Sequence, residues 1–281
     1  MKKMVLYGAG GFGHYCYLRY CREFNIIAYA DSDETKHGET LNGLPIVSPE
    51  GLADIDYDVI QICVGTSAEI IKEVLINKYK ISESKLSTEL VRQSDAAREN
   101  ALYLMSKMIY DNNIAGNVAE LGVFRGKFAK EINRCFKDRI LYLFDTFEGF
   151  PEQDIVYDME NKYSSHDAKY LKTTSIDEVL GVMPYPEKCV VKVGYFPDTL
   201  GGLEESFVLV SLDPDLYKPI LEGMRYFYPR LQKGGFIMVH DYYNPWFSGV
   251  AEAIKDYEAE IGVSLSKIPI GDLMSVAITK V

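Results

Sequence analysis

The pattern of apolar and polar positions is the same at two places in the chain. In each, a short apolar run leads into a glycine-rich loop, and a stretch with helical spacing follows. The first run is residues 4–7 with its loop at 8–13, and the second is residues 117–121 with its loop at 122–126. After each loop, apolar runs alternate with further helical stretches. This alternation predicts parallel sheets flanked by helices, so we expect an α/β protein with two Rossmann-like units.

The N-terminal unit is predicted to span residues 1–88. Its second strand is predicted at residues 26–30, directly before Asp31, and a third buried strand at residues 59–64. A complete dinucleotide-binding domain needs about twice as many strand–helix repeats, so we expect a small half-Rossmann domain. Residues 89–113 carry apolar side chains at helical spacing and are predicted to be a helical linker.

The C-terminal unit, residues 114–281, is predicted to contain a larger sheet. Its further strands are expected at residues 140–144, 190–193, 208–212 and 235–239. Residues 148–170, rich in tyrosine and charged side chains, are predicted to form a loop. The chain then ends in two closely spaced apolar runs, 265–270 and 273–279, which predict an antiparallel last strand. A doubly wound dehydrogenase sheet does not need that strand, whereas class I methyltransferase sheets carry it.

The second glycine loop is typical of a site for a nucleoside-containing ligand. Gly122 and Gly126 allow the backbone to turn tightly, and the helix that follows presents free N–H groups at its N-terminus. Asp145 ends the next predicted strand, where an acidic side chain can accept hydrogen bonds from ribose hydroxyls. An ordinary strand–helix turn with a capping aspartate is the alternative. The predicted cofactor-binding residues are Glu120, Gly122, Phe124, Arg125, Gly126, Asp145, Thr146 and Phe147.

Four polar side chains follow two further strands that we expect to be neighbours. Asp213 and Asp215 come directly after one strand, and His240 and Asp241 come directly after the next. Because the carboxyl ends of parallel strands open into the same crevice, Asp213, His240 and Asp241 are predicted to bind a divalent metal. Such a metal would lower the pKa of a substrate hydroxyl, and Asp215 would take the proton as general base. Carboxylates that only cap loops are the alternative, which explains one aspartate better than four converging groups.

The composition argues against several other classes. The net charge is -11 with no basic run, which disfavours a nucleic-acid partner and an anionic membrane surface. The five cysteines include no Cys-x-x-Cys pair, so neither a disulfide framework nor a zinc site is indicated. We recognise no signal peptide and no apolar run of membrane-spanning length. We therefore expect a cytoplasmic protein whose partners include neither nucleic acid nor a membrane.

Five motifs of the second unit resemble those of the macrocin (TylF-type) O-methyltransferases, which modify sugars of antibiotics. The matching stretches are 119–126 (AELGVFRG), 144–151 (FDTFEGFP), 194–200 (GYFPDTL), 212–217 (LDPDLY) and 228–235 (YPRLQKGG), the last running on to 240–242 (HDY). They occur in the order that the family has. Five linked motifs are far more specific than a single glycine loop.

The resemblance implies S-adenosylmethionine as methyl donor, magnesium as metal and a sugar hydroxyl as acceptor. By position, Asp213 and Asp241 match metal ligands and Asp215 matches the catalytic base. Position 240 departs from the family, which usually has an aspartate where this chain has His240. Imidazole is a poor ligand for magnesium and a good one for manganese, iron or zinc. The metal is therefore left open between magnesium and manganese.

The predicted loop 148–170 is our candidate for a lid over the acceptor sugar. Tyr157, Tyr163 and Tyr170 cluster in it, and aromatic faces with polar tips suit carbohydrate stacking. A surface loop with half-buried tyrosines is the alternative, and a lone loop histidine such as His166 is more often solvated than catalytic. The residues expected to line the donor or acceptor side are Tyr195, Phe196 and Asp198.

The first glycine loop matches the dinucleotide fingerprint. A nucleotide site is predicted at Gly8, Gly10, Gly11, Gly13 and Asp31. The unit also resembles the small Rossmann domains of bacterial sugar-modifying enzymes. That resemblance implies binding of a nucleotide-sugar, or a purely structural or dimerising role.

Together, these patterns predict a metal-assisted S-adenosylmethionine-dependent O-methyltransferase that acts on a sugar hydroxyl of a glycan, a nucleotide-sugar or a glycosylated metabolite. The alternative is an NAD(P)-dependent oxidoreductase or a nucleotide-sugar-binding protein that works through the first glycine loop. An oxidoreductase would need a hydride-transfer site such as Tyr-x-x-x-Lys, which we do not recognise after that loop. A homodimer is compatible with the resemblance.

Overall fold

A computed structural model describes residues 1–65, 67–164 and 174–281 of the chain. The described residues form two compact units, Met1–Ala96 and Ala97–Val281, each with its own sheet. None of the helices in these ranges is both long enough and apolar enough to cross a membrane.

The first unit is built on a six-stranded sheet. Its strands are β1 (Lys3–Tyr7), β2 (Asn25–Ala30), β3 (Thr40–Leu41), β4 (Leu44–Val47), β5 (Val59–Ile62) and β6 (Leu86–Ser87). They lie in the order β3-β4-β2-β1-β5-β6 and pair in parallel, except that β3 and β4 are antiparallel. The helices α1 (Gly11–Tyr20) and α2 (Ala68–Asn77) follow β1 and β5. The central strands β1 and β5 are buried and mostly apolar, as is typical of parallel strands covered on both faces.

The second unit begins within α3 (Glu89–Asp111), the helix found where a linker is predicted. Its strands are β7 (Asn117–Leu121), β8 (Leu141–Asp145), β9 (Cys189–Val193), β10 (Phe207–Leu212), β11 (Leu231–Val239), β12 (Lys267–Pro269) and β13 (Val276–Thr279). Its other helices are α4 (Lys127–Cys135), α5 (Glu152–Glu160), α6 (Ile176–Val182), α7 (Tyr217–Arg230) and α8 (Gly249–Ile261).

The order of the seven strands determines which side chains meet. It is β12-β13-β11-β10-β7-β8-β9, and β13 runs antiparallel to β11. The predicted antiparallel last strand is therefore confirmed. β10 lies at the centre with β7 and β11 as parallel neighbours, and all six of its side chains are buried. The carboxyl ends of these three strands consequently lie side by side, where a doubly wound sheet binds its ligands.

The prediction of a loop over residues 148–170 is wrong in part, because α5 occupies Glu152–Glu160. Pro151 precedes this helix, and Glu152 and Asp154 lie in its first turn, where carboxylates favour a helix start. Its buried positions are Asp154, Ile155 and Asp158, so two of the three inward-facing side chains are acidic. A helix whose buried face is polar shows no apolar periodicity. Two residues of the proposed lid, His166 and Tyr170, lie outside the described residues.

Candidate functional site

The second glycine loop lies directly against the end of β10. Gly122 has a φ of 85°, and a Cβ atom at this position would lie 2.2 Å from the carbonyl oxygen of Asp213. Only glycine permits this approach of the two backbones. The contact brings the loop after β7 next to the Asp213-Pro214-Asp215 segment.

Asp145 organises the backbone of this loop. Its Oδ2 accepts hydrogen bonds from the N–H groups of Val123 (2.7 Å) and Phe124 (2.9 Å), and its Oδ1 accepts one from Phe147 (2.8 Å). Phe124 and Phe147 both have positive φ angles, so the three hydrogen bonds hold a strained backbone in place. An ionised carboxylate has about four acceptor positions, so Asp145 can accept about one further hydrogen bond from a ligand.

A cleft runs along the strand ends beside Asp145. About 630 Å³ of space lies between its walls, counted to the open solvent at its mouth. The sequence-predicted residues that line it are Gly122, Phe124, Asp145, Thr146, Tyr195, Phe196, Asp213 and Asp215. Among the described residues, four other predicted donor residues are not in its lining, namely Glu120, Arg125, Gly126 and Phe147.

These four residues have other surroundings. Arg125 has its Nε 3.6 Å from the carboxylate of Glu178, and Gly126 begins α4 with a φ of 73°. Phe147 meets Asp145 through its backbone N–H. Glu120 is buried within β7. Burial raises its pKa to about 8, although the nearby positive charge of Arg98 acts to lower it.

The four polar groups at the ends of β10 and β11 converge. One donor atom from each of Asp213, Asp215, His240 and Asp241 lies within 4.8 Å of the others. Nδ1 of His240 is 2.7 Å from Oδ2 of Asp241 and 3.0 Å from Oδ1 of Asp213. Asp215 and Asp241 have φ angles of 62° and 55°, which short polar side chains tolerate better than other residues. We call these four residues the acidic cluster.

Burial and mutual repulsion set the charges of the acidic cluster. Burial, followed by the neighbouring carboxylates of Asp241 and Asp213, raises the pKa of Asp215 well above its ordinary value. Burial also opposes ionisation of His240, but the carboxylates of Asp213 and Asp241 outweigh it and raise the pKa of the imidazole. Burial opposes ionisation of Asp213 and Asp241 as well, but their pKa values are lowered, by His240 with Arg98 at Asp213 and by His240 with hydrogen bonds from Asp215 and Asn244 at Asp241. Asp215 is therefore the most basic carboxylate of the cluster.

Arg98 touches the acidic cluster and is absent from the sequence-based site. Its Nη2 donates to Oδ2 of Asp213 at 3.0 Å and to Oγ of Ser211 at 3.3 Å. A signal for it exists in the sequence, because Arg98 is four residues before Leu102 and eleven before Ile109, both fully buried. That spacing puts an arginine on the apolar face of α3.

Helix α5 borders another side of the cleft. Asp154 lines the cleft, is fully buried, and accepts a hydrogen bond from the hydroxyl of Tyr195 at 3.0 Å. Two tyrosines of the proposed lid stack on the ring of Tyr217. The ring centroid of Tyr217 is 5.2 Å from that of Tyr157 and 5.3 Å from that of Tyr163. Tyr157 and Tyr163 are half-buried and pack against the apolar core.

A family model described as macrocin-O-methyltransferase (TylF) matches residues 94–278, which include the cleft and the acidic cluster. The chain belongs to the TylF family. Residues 1–87 match a second model, described as C2185-like, N-terminal.

Two curated TylF-like relatives indicate the kind of enzyme to which the chain is similar. One is the 8-demethyl-8-(2,3-dimethoxy-alpha-L-rhamnosyl)-tetracenomycin-C 4'-O-methyltransferase of Streptomyces olivaceus, 26% identical over 186 residues, or 59% of this chain and 66% of the relative. The other is the mycinamicin III 3''-O-methyltransferase of Micromonospora griseorubida, 29% identical over 166 residues, or 54% and 64%. The matches thus span slightly less than two thirds of the relatives' own length.

Two solved structures establish the fold of the TylF region. The O-methyltransferase NovP is similar with a TM-score of 0.55 and 23% identity, over 66% of this chain and 79% of NovP. The calicheamicin methyltransferase CalS11 is similar with a TM-score of 0.55 and 16% identity, over 76% and 91%. The seven-stranded sheet, with its antiparallel strand, is thus a class I methyltransferase sheet.

The donor atoms of the acidic cluster fit a divalent cation. Their mutual separation of at most 4.8 Å is close to the span of about 4–5 Å between opposite ligands of such an ion. The cluster offers carboxylate oxygens and one imidazole nitrogen, which are ligands that divalent cations take in proteins. Imidazole is in general a better ligand for manganese than for magnesium.

Proposed function

We propose that the second unit is an S-adenosylmethionine-dependent O-methyltransferase that methylates a hydroxyl of a sugar. The observation that carries this proposal is the contact of Gly122 with Asp213, because it puts a nucleoside-type loop beside a buried carboxylate base. TylF family membership and the sugar O-methyltransferases among the relatives support the reaction and the acceptor class. They do not favour the oxidoreductase alternative.

The donor is proposed to lie in the cleft with its ribose at Asp145. The N–H groups of Val123 and Phe124 point towards this carboxylate, so the loop is held in one conformation by the chain itself. The apolar side chains of Phe144, Phe150 and Phe196 line the same cleft and exclude water from it. S-Adenosylmethionine, when bound, supplies a methyl group activated by its sulfonium.

The acceptor hydroxyl is proposed to lie between the cleft and Asp215. Burial and two neighbouring carboxylates make Asp215 strongly basic, so it can hold the proton that the hydroxyl loses. Asp213, His240 and Asp241 are proposed to hold a divalent cation, with manganese favoured over magnesium. When bound, that cation supplies Lewis-acid polarisation of the acceptor oxygen.

Titration calorimetry with S-adenosylhomocysteine tests the donor site. We expect micromolar binding to the wild-type protein and a loss of about tenfold or more in Asp145→Ala, because the ligand loses a hydrogen bond to a charged group and the loop loses the three bonds that hold it. Asp138→Ala is the matched control, because Asp138 is an aspartate of the same unit that accepts its bond from Tyr110. Thermal unfolding checks that both variants fold. Wild-type protein that binds no S-adenosylhomocysteine would refute the donor proposal, and full binding by Asp145→Ala would refute the role of Asp145.

A second proposal concerns the first unit, which we infer to bind a nucleotide or nucleotide-sugar at its glycine loop. Oδ2 of Asp31 accepts a hydrogen bond from the N–H of Ala9 at 2.7 Å, as Asp145 does from its own loop. A Cβ at Gly13 would lie 2.0 Å from the carbonyl oxygen of Gly8, so this pair needs glycine. The two units thus share one arrangement of an acidic side chain and a glycine loop.

Calorimetry with uridine diphosphate and, separately, with NAD tests the first unit. We expect binding of one of them, weakened about tenfold or more by Asp31→Ala through the same loss of hydrogen bonds. Asp58→Ala serves as control, because Asp58 is an aspartate of the same unit whose carboxylate accepts from the backbone N–H of Lys3. If neither nucleotide binds, or if Asp31→Ala binds as tightly as the wild type, the structural or dimerising role is the correct one.

A further inference from the structure

The side chain of Arg98 forms an ion pair with Asp213, a member of the acidic cluster. It lies on α3, and its partners Ser211 and Asp213 lie more than a hundred residues later, at the end of β10. Its guanidinium also lies 3.9 Å from the ring centroid of Phe128 on α4. Three separate elements therefore hold this one side chain in a defined position.

The two oxygens of Asp213 have different partners. Oδ2 accepts from Arg98 at 3.0 Å, and Oδ1 lies 3.0 Å from Nδ1 of His240. A carboxylate held at one oxygen by a fixed donor cannot turn freely about its Cβ–Cγ bond. Arg98 thus selects which oxygen of Asp213 faces the other members of the acidic cluster.

Packing alone does not account for an arginine at this position. The other side chains on this face of α3 include the fully buried Leu102 and Ile109, so an apolar residue would suit the core. A buried guanidinium is costly unless it is paired, and Nε of Arg98 has no hydrogen-bond partner among the described residues. The carboxylate of Asp213 offsets that cost first, through a direct hydrogen bond, and the charges of Glu120 and Asp272 add to it.

We propose that Arg98 is a positioning residue that fixes Asp213 as a one-oxygen ligand of the cation and so aligns the acidic cluster for methyl transfer. The inference rests on the proposed function. Arg98 does not line the cleft, so it acts through Asp213 and leaves the donor site unchanged. Lysine cannot replace it, because an ammonium lacks the planar guanidinium that lies over the ring of Phe128 while Nη2 donates to both Ser211 and Asp213.

The test measures Mn²⁺ binding to the full chain by electron paramagnetic resonance, without donor or acceptor. In Arg98→Met and Arg98→Lys we expect Mn²⁺ affinity and kcat to fall by about 10- to 100-fold, as for other residues that orient metal ligands. The affinity for S-adenosylhomocysteine should stay that of the wild type. The matched control is Arg139→Met, since Arg139 also donates two hydrogen bonds, to Gly116 and Ile114, and stacks on Tyr110.

Added guanidinium separates positioning from folding. We expect millimolar guanidinium to restore part of the kcat of Arg98→Ala, because the free ion can occupy the space beside Asp213, and to leave Arg139→Met unchanged. Variants that keep the Mn²⁺ affinity of the wild type, or that bind Mn²⁺ more tightly, would overturn the inference. A wild-type protein without methyl transfer would instead refute the proposed function, whatever the Arg98 variants do.

Discussion

Asp215→Asn is expected to lower kcat by about 10²–10⁴-fold while the affinity for S-adenosylhomocysteine stays unchanged. The reason is that the amide keeps the shape of the carboxylate but cannot take a proton. The loop at Asp145 is held by hydrogen bonds from Val123 and Phe124 to that aspartate, so the donor site does not depend on the charge of Asp215. Turnover is measured with a panel of glycosylated acceptors, and donor binding is measured by calorimetry.

Asparagine is the substitution to use because of the backbone at this position. Asp215 has a φ of 62°, and among residues with a side chain asparagine and aspartate tolerate that conformation best. Alanine would add backbone strain to the loss of the base, and the two effects could not be separated. Asp138→Asn is the control for a charge removed elsewhere in the same unit. An Asp215→Asn protein with full activity would exclude Asp215 as base, and one that no longer binds S-adenosylhomocysteine would show a structural role.

Much of the second unit could be predicted because most residues of its central strands are apolar. β10 is buried at every position, and the ends of β7, β10 and β11 therefore predict where polar groups gather. The carboxyl ends of neighbouring parallel strands share one edge, so the sequence alone is enough to predict that Asp213 and His240 lie together. The antiparallel β13 follows from the close spacing of the last two apolar runs.

The features that could not be predicted are those in which a polar side chain occupies a buried position. α5 buries Asp154 and Asp158, so its periodicity disappears from the sequence and the segment resembles a loop. Arg98 interrupts the apolar face of α3, yet its partner Asp213 is known only from the tertiary structure. Glu120 is predicted at the donor, and it lies inside β7 because successive strand side chains point to opposite faces.

The imidazole in the acidic cluster predicts a preference among metal ions. We expect the wild-type protein, stripped of metal, to regain more activity with Mn²⁺ than with Mg²⁺, because imidazole suits the softer ion. His240→Asp should shift the ratio of Mg²⁺- to Mn²⁺-supported kcat/KM towards Mg²⁺ by about tenfold or more. The aspartate supplies an oxygen ligand, and it removes the imidazole whose Nδ1 lies 2.7 Å from Asp241 and 3.0 Å from Asp213.

The control for this exchange is His14→Asp, which introduces the same residue in the first unit, where His14 lies 2.9 Å from Oδ1 of Asn42. Its metal ratio should equal that of the wild type. Stability gives a second readout, since four adjacent carboxylates repel one another without a cation. Added Mg²⁺ should therefore raise the Tm of His240→Asp more than that of the wild type. An unchanged ratio would exclude His240 as a ligand. Full activity after chelation would exclude the metal, and Asp215 would then act beside two positive side chains, His240 within the cluster and Arg98, which pairs with Asp213.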